Sequence, residues 1–394
     1  TLSHGQIGEV FLNSTSLYGE SGGQAADAGI ITGEGFTLDV LDVQKPVKGL
    51  FAHKVKVSFG EVAINSAATT IVDADWRLGA CQSHSATHVV HAAIRQVLGP
   101  QALQSGSFNR PGYMRLDFAW GESLSEATKS EIEEVSNLAI RSDLSVTADF
   151  MTVAEAKEFG AIALFGETYD EQVRVVQVGG PWSRELCGGT HVSRTAQIGL
   201  VSLVSEASVG SGSRRIEALV GMEALTSLQA ERDLVRRLSL QLKAPASDVE
   251  ARVTESLAEL KASSKVVSDM EMAKLQTRIP TFAEAATAVN GIDLLALEVD
   301  TSDSDQLRVL AMGLKAHLGA ASIVILGSKA SGSGVVIAVA GSAAVAKGYK
   351  AGELVSVASK VLGGGGGGKP ELAQGGGTNI DKLSEAIAAA AAIV

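Results

Sequence analysis

The rhythm of apolar and polar positions changes along the 394-residue chain and divides it into regions. Over residues 1–80, short apolar stretches at 9–12, 29–32, 36–43, 54–59 and 68–72 alternate with segments that often contain Gly or Pro. Short strands separated by turn signals predict a small β-barrel or sandwich. Residues 83–98, 124–140 and 153–159 carry helical spacing instead. Ser83 stands where it can cap the first of these helices, and Gly99-Pro100 stops it. Residues 173–178 and 199–207 read as strands, so 81–221 is an α+β core joined to the β region.

The pattern changes again at 222–280. A helix is predicted over about 222–243, and Pro245 ends it. Val249, Val253, Leu257, Leu260, Val267 and Met270 then fall mostly three or four residues apart, a narrow amphipathic seam. Ser247-Asp-Val-Glu250 has the form of a capping box for that second helix. Two readings carry equal weight: a helical hairpin packed on its own domain, or a dimerising, domain-spacing arm. Over 281–394 helix and strand alternate, with strands at 294–299, 323–326 and 334–340 and helices at 303–318 and 380–392. The expected class is α+β: a small β-barrel, an α+β core, a long helical arm and a C-terminal α/β globular unit. The corresponding boundaries are 1–80, 81–221, 222–280 and 281–394.

Composition narrows the field. The chain has 44 Asp+Glu against 33 Lys+Arg, a net charge of −11. That excludes a non-specific nucleic-acid coat. Most of the negative excess lies in 1–221, whereas 321–394 is slightly basic. No apolar run reaches the roughly 18 residues of a membrane helix. Two cysteines in a chain of this length point to a reducing, cytoplasmic compartment rather than a disulfide framework. The chain starts at Thr1, with no signal-peptide pattern, and reads as a piece of something longer.

Two short spacings carry the chemistry. In His84-Ser-Ala-Thr-His88 the imidazoles sit at i and i+4, on one face of a helix. Ser85 stands where a zinc peptidase would carry its glutamate, which argues against that activity. In Cys187-Gly-Gly-Thr-His191 a thiolate and an imidazole flank a glycine turn. Together the pairs supply three nitrogens and one sulfur, the donor count of tetrahedral Zn2+. His91 lies near the same helix face. Around them, residues 15–24 form a polar loop containing Thr15, Gly22, Gly23 and Gln24, and Gln104-Ser-Gly-Ser107 forms another. Arg214 and Arg215 form a basic pair, read mainly as solvated surface. Residues 363–368 are six consecutive glycines, followed by Lys369. They suit a flexible linker or, preferably here, a loop where backbone approaches an anion.

The order of these pieces carries a resemblance. The Tyr18–Asp27 segment, His-x-x-x-His, Gln-x-Gly-Ser, Ala163-Leu-Phe-Gly-Glu167, Cys-Gly-Gly-Thr-His and Ser213-Arg-Arg-Ile-Glu217 together resemble the editing domain of alanyl-tRNA synthetases. Residues 222–394 resemble that family's C-terminal domain. Leu17, where the family usually has an aromatic residue, and Ser85, often Thr, are small departures. The resemblance implies hydrolysis of Ser-tRNA(Ala) and Gly-tRNA(Ala). It implies Zn2+ held by His84, His88, Cys187 and His191, with His91 outside the ligand set. It places Thr15 and Gln104 at the editing pocket, Thr15 as the hydroxyl sieve. For tRNA contact, Gly22, Gly23, Gln24, Arg214, Arg215, Lys350 and Lys369 are the candidates. It also implies a homodimer through 222–280 and the C-terminal domain, and a preceding aminoacylation domain, whose ATP-binding motif this chain lacks. The rival readings are a free-standing trans-editing hydrolase and a non-catalytic, zinc-stabilised tRNA-binding module.

Overall fold

A computed structural model describes residues 1–163, 170–301, 303–330 and 332–394. The Ala163-Leu-Phe-Gly-Glu167 motif, beyond its first residue, lies outside them. The chain forms two compact units, Thr1–Gln241 and Leu242–Val394. Helix and strand are mixed in both, as an α+β class requires.

The first unit opens with β1 (Leu2–Ser3), β2 (Ile7–Phe11), β3 (Gly29–Gly33), β4 (Phe36–Val47), β5 (Leu50–Val62) and β6 (Thr69–Val72). These form one antiparallel sheet in the order β1-β5-β4-β3-β6, with β2 also on β5. Alternation along β4 and β5 buries Phe36, Leu38, Val40, Val55 and Val57 together with Ile31. The barrel expected over 1–80 does not close. A barrel needs every strand paired on both sides, and the end strands here, β1 and β6, are two and four residues long.

Helix α1 (Ala74–Leu98) follows, starting well before Ser83. Asp73 caps it, its carboxylate accepting the amides of Asp75 and Trp76. Ser83 is therefore an interior, fully buried residue and not the cap. Strands β7 (Gln104–Arg110) and β8 (Tyr113–Ala119) precede α2 (Glu126–Arg141). Then come β9 (Val146–Thr152), α3 (Val153–Glu158), β10 (Gln172–Val178), β11 (Ser183–Leu186), β12 (Val201–Gly210), β13 (Ser213–Val220) and α4 (Met222–Leu242). Two sheets result, β12-β13-β8-β7 and β11-β10-β9. Val89, Val90, Ala93 and Ile94 of α1 pack with Met114, Leu116, Phe118 and Ile216 of the first sheet and with Ile132 of α2. This core holds the helix that carries the histidines.

In the second unit, α5 (Val249–Thr277) restarts after a 3-10 turn at Ala246–Asp248. The capping box expected at Ser247–Glu250 does not form: the Ser247 hydroxyl donates to Asp248 Oδ1, and no side chain caps the helix. The 3-10 turn takes up the residues that the box would have used. Next are α6 (Ile279–Ala283), β14 (Thr287–Val289), β15 (Ile292–Glu298), α7 (Ser304–Leu318), β16 (Ser322–Ala330) and β17 (Ser333–Ala340). The chain ends with α8 (Ser342–Ala346), α9 (Ala351–Val361), β18 (Gly365–Gly368), β19 (Leu372–Gly377) and α10 (Leu383–Ala391). The sheet order is β14-β15-β16-β17-β19-β18, with only β15 and β16 parallel among the described pairs. Apolar clusters cover both faces, α7 on one and α9 with α10 on the other. That explains the continuous apolar run of β17.

The six glycines are neither linker nor loop along most of their length. Gly365–Gly368 is an edge strand paired with β19. A Cβ at Gly366 would stand 2.5 Å from Gly375 Cα and 2.7 Å from Val355 Cγ1. Only glycine lets this hairpin lie so close to α9.

Candidate metal centre

One face of α1 presents two imidazoles. The rings of His84 and His88 are nearly parallel, their centroids 5.4 Å apart. The segment after β11 brings Cys187 and His191 against them. Cys187 Sγ is 3.3 Å from His84 Nε2 and 3.4 Å from His191 Nε2. One donor atom from each of the four residues lies within 4.8 Å of the others. The glycine between the pair has a steric purpose, since a Cβ at Gly189 would stand 2.0 Å from His84 Cε1. Arg174 clamps the same turn, donating from Nη1 to the carbonyls of Cys187 at 3.0 Å and Gly189 at 2.8 Å.

Surrounding side chains settle which nitrogen of each ring faces inward. Gln24 is fully buried, and its Oε1 is 2.8 Å from His84 Nδ1. The same oxygen accepts the Thr190 amide, and Gln24 Nε2 donates to the Thr190 hydroxyl. An amide oxygen only accepts, so His84 carries its proton on Nδ1 and its lone pair on Nε2. The Ser85 hydroxyl lies 3.2 Å from His191 Nδ1 and accepts the Val192 amide. Both His88 nitrogens are buried without a hydrogen bond; Nδ1 has a Glu185 oxygen at 2.9 Å, which leaves Nε2. A buried polar atom left unpaired is costly, and a bound cation would satisfy it.

Electrostatics favour the ligand form at Cys187 and His191, whereas at His88 burial pushes the imidazole down but the Glu185 and Cys187 charges outweigh it and hold it well above its ordinary value. Burial pushes the Cys187 thiol up, but the neighbouring His84, His88 and His191 imidazoles outweigh it and hold the thiol well below its ordinary value. Burial pushes His191 down to about 3, which leaves its imidazole neutral. Glu185, buried beneath the cluster, is held well below the carboxylate range: burial opposes its charge, and His88 and His91 overcome that.

Beside the four donors opens a cavity of about 310 Å3, lined in part by Tyr18, Gly22, Thr87, Gln104, Ser107 and Arg174. Gln104, expected at the editing pocket, and Gly22, expected to contact tRNA, are both among its lining residues. Gly23 does not line the cavity; at φ 75° it packs against the Ser107 carbonyl. Gln24 reaches a metal-type ligand rather than open space. Thr15 is not among the cavity-lining residues described. Its hydroxyl lies 2.9 Å from His53 Nε2 and accepts the Leu17 amide. His53 Nδ1 faces the Val10 carbonyl, so that ring donates from Nδ1 and accepts the Thr15 proton on Nε2. Arg214 and Arg215 lie on β13, paired with Glu206 and Asp117. Lys350 precedes α9 and pairs with Glu353 at 3.2 Å. Lys369 is exposed in the β18–β19 turn. Lys350 and Lys369 belong to the second unit. His91 lies outside the four-donor cluster: its Nδ1 is 3.1 Å from Glu185 Oε1 and its Nε2 accepts the Gln104 amide. The sequence reading missed Glu185 and Arg174. Both sit on strands near Cys187, but no local spacing marks Glu185 as a partner of α1 or Arg174 as a clamp on the 187–189 turn.

Comparison with known proteins gives three family matches. Residues 173–217 match the threonyl and alanyl tRNA synthetase second additional domain, 291–394 the DHHA1 domain, and 1–76 the class II (A) tRNA synthetases. The alanine–tRNA ligase of Leifsonia xyli subsp. xyli is 51% identical over 98% of this chain and 44% of its own length. That of Clavibacter sepedonicus is 53% identical over the same shares. The chain therefore spans less than half the length of these curated relatives. Among solved structures, the C-Ala domain from Aquifex aeolicus alanyl-tRNA synthetase is 29% identical over 26% of this chain and 91% of that one, with a TM-score of 0.25.

Proposed function

The chain belongs to the alanyl-tRNA synthetase family, matching its C-terminal region, and from that premise we propose that the first unit hydrolyses mischarged Ser-tRNA(Ala) and Gly-tRNA(Ala) at a zinc centre. The observation that carries this reading is the convergence of His84, His88, Cys187 and His191 beside a polar cavity.

The donors suit zinc. With Zn–S near 2.3 Å and Zn–N near 2.0–2.1 Å, sulfur and nitrogen vertices of a tetrahedron stand about 3.5 Å apart. The two Sγ–Nε2 separations are 3.3 and 3.4 Å. Zinc held by these four residues would supply positive charge that polarises a nearby carbonyl or water. The remaining work falls to the chain. Gln24 and Ser85 orient the imidazoles. Thr87, Gln104 and Ser107 offer the cavity hydrogen-bonding groups that suit the hydroxyl of a serine ester. Thr15 acts by tying the 15–24 loop to His53. Gly22 gives that loop the turn it needs at φ 58°.

A second site answers an energetic problem. Rejecting a substrate for one missing methylene yields only about 1–3 kcal/mol, and an alanine pocket cannot strongly exclude an added hydroxyl. A site that hydrolyses the wrong esters restores the difference. We further assign tRNA contact to the second unit, with Lys350 and Lys369 as the cationic groups, and self-association to 222–280. The preceding part of the full-length enzyme would supply aminoacylation.

The test compares the chain with Cys187→Ala on Ser-, Gly- and Ala-tRNA(Ala), with and without chelator. The parent should deacylate the first two and spare the third. C187A should lose zinc and at least tenfold in rate. Full activity without zinc would overturn the metal-centre reading, and a parent inactive on all three would leave a tRNA-binding module instead.

A further inference from the structure

We propose that Glu185 is the positioning residue that locks the metal ligand His88 and the cavity residue Gln104 into one arrangement. The inference rests on the zinc-centre reading above. Glu185 is 3% exposed, and its two oxygens serve different imidazoles. Oε2 lies 2.9 Å from His88 Nδ1, and Oε1 lies 3.1 Å from His91 Nδ1. Ser183 Oγ donates to Oε1 at 2.9 Å and holds the carboxylate in place.

The hydrogen-bond logic leaves one assignment. The Gln104 amide is a donor, and it points at His91 Nε2 from 3.1 Å. His91 Nε2 must therefore accept, so the ring carries its proton on Nδ1 and donates it to Glu185. An ionised carboxylate only accepts, so His88 also presents Nδ1–H, and its lone pair is on Nε2. Both His88 nitrogens are buried without a hydrogen bond of good geometry; Nδ1 has the Glu185 oxygen at 2.9 Å, which leaves Nε2 for a cation. The sequence of contacts runs from His88 through Glu185 and His91 to the Gln104 backbone. Carboxylates placed behind metal-binding imidazoles in this way fix tautomer and ring orientation, and losing one typically costs roughly 10–100-fold in metal affinity.

An amide cannot do the same job. Glutamine at 185 has one accepting oxygen and one donating nitrogen, so one of the two rings must meet an N–H. That ring shifts its proton to Nε2. For His88 this removes the metal-facing lone pair; for His91 it removes the acceptor of the Gln104 amide.

The experiment uses the full chain and Zn2+ alone. Zinc affinity is measured by competition with a chromophoric chelator, and exchange of the Gln104 amide by hydrogen–deuterium exchange. Glu185→Gln should weaken zinc binding at least tenfold, or speed exchange at Gln104 at least tenfold, with unchanged circular dichroism. Both quantities within twofold of the parent would overturn the proposal. If E185Q does not fold, Ser183→Ala is read in its place: a severalfold loss of zinc affinity supports the role, and unchanged affinity overturns it. A parent chain that binds no zinc overturns the metal-centre reading and this inference together. A parent that binds zinc beside an indifferent E185Q overturns the inference alone.

Discussion

Gln24 organises two segments far apart in the chain, α1 through His84 and the 187–191 turn through Thr190. Gln24→Ala would leave the Thr190 amide and the His84 Nδ1–H without their acceptor. It should weaken zinc binding by roughly the 10–100-fold typical of groups behind a metal ligand. Gln24→Glu keeps an acceptor for both and should retain most of the affinity; chelator competition on the two variants separates positioning from packing. The four clustered donors were legible as two pairs in the sequence, because His84/His88 and Cys187/His191 are local spacings with local geometry. Gln24, Glu185 and Arg174 were not legible as their supports. The first two act across the fold: Gln24 and His84 are 60 positions apart, and His91 and Glu185 are 94 apart, while Arg174 reaches carbonyls 13 and 15 positions on.

At the scale of elements, the β18–β19 hairpin shows what glycine contributes. Gly366 faces α9, with Gly375 Cα at 2.5 Å and Ser359 Oγ at 2.8 Å from any added Cβ, whereas Gly365 has nothing within 4 Å. Gly366→Ala should destabilise the second unit by about 1–3 kcal/mol, the usual cost of overpacking, while Gly365→Ala should be close to neutral. Urea unfolding of the two variants checks the contrast. Helix periodicity located α1, α2, α4, α5 and α7, but not where α1 begins. Residues 74–82 lack a clear apolar face, and Asp73 rather than Ser83 accepts the first free amides. Run composition alone cannot distinguish a glycine strand from a glycine loop, because the difference lies in the atoms packed on it.

At the scale of the whole molecule, the chain's two units predict separable properties. A chain ending at Gln241 should fold, bind zinc and keep deacylation, while losing affinity for tRNA. Leu257, Leu260, Val267 and Met270 on α5 are 62%, 64%, 55% and 67% exposed, a seam suited to a second copy. Analytical ultracentrifugation of both chains tests that part: dimer for the full chain and monomer for the shorter one is expected, and monomer for both removes the dimerising role. No described helix is long and apolar enough to cross a membrane. The net charge of −11 bears on tRNA only by excluding a uniform basic coat, since phosphate contacts give affinity without choice. What the sequence determined by itself is whatever short spacings encode: the donor pairs, the helix faces, the buried β17 and the class of fold. Tertiary structure alone decided the rest. It left the first sheet open, turned glycines into a strand, moved Thr15 onto His53 and placed Glu185 between two histidines. Those outcomes depend on which distant atoms meet, and no local pattern of residues specifies that.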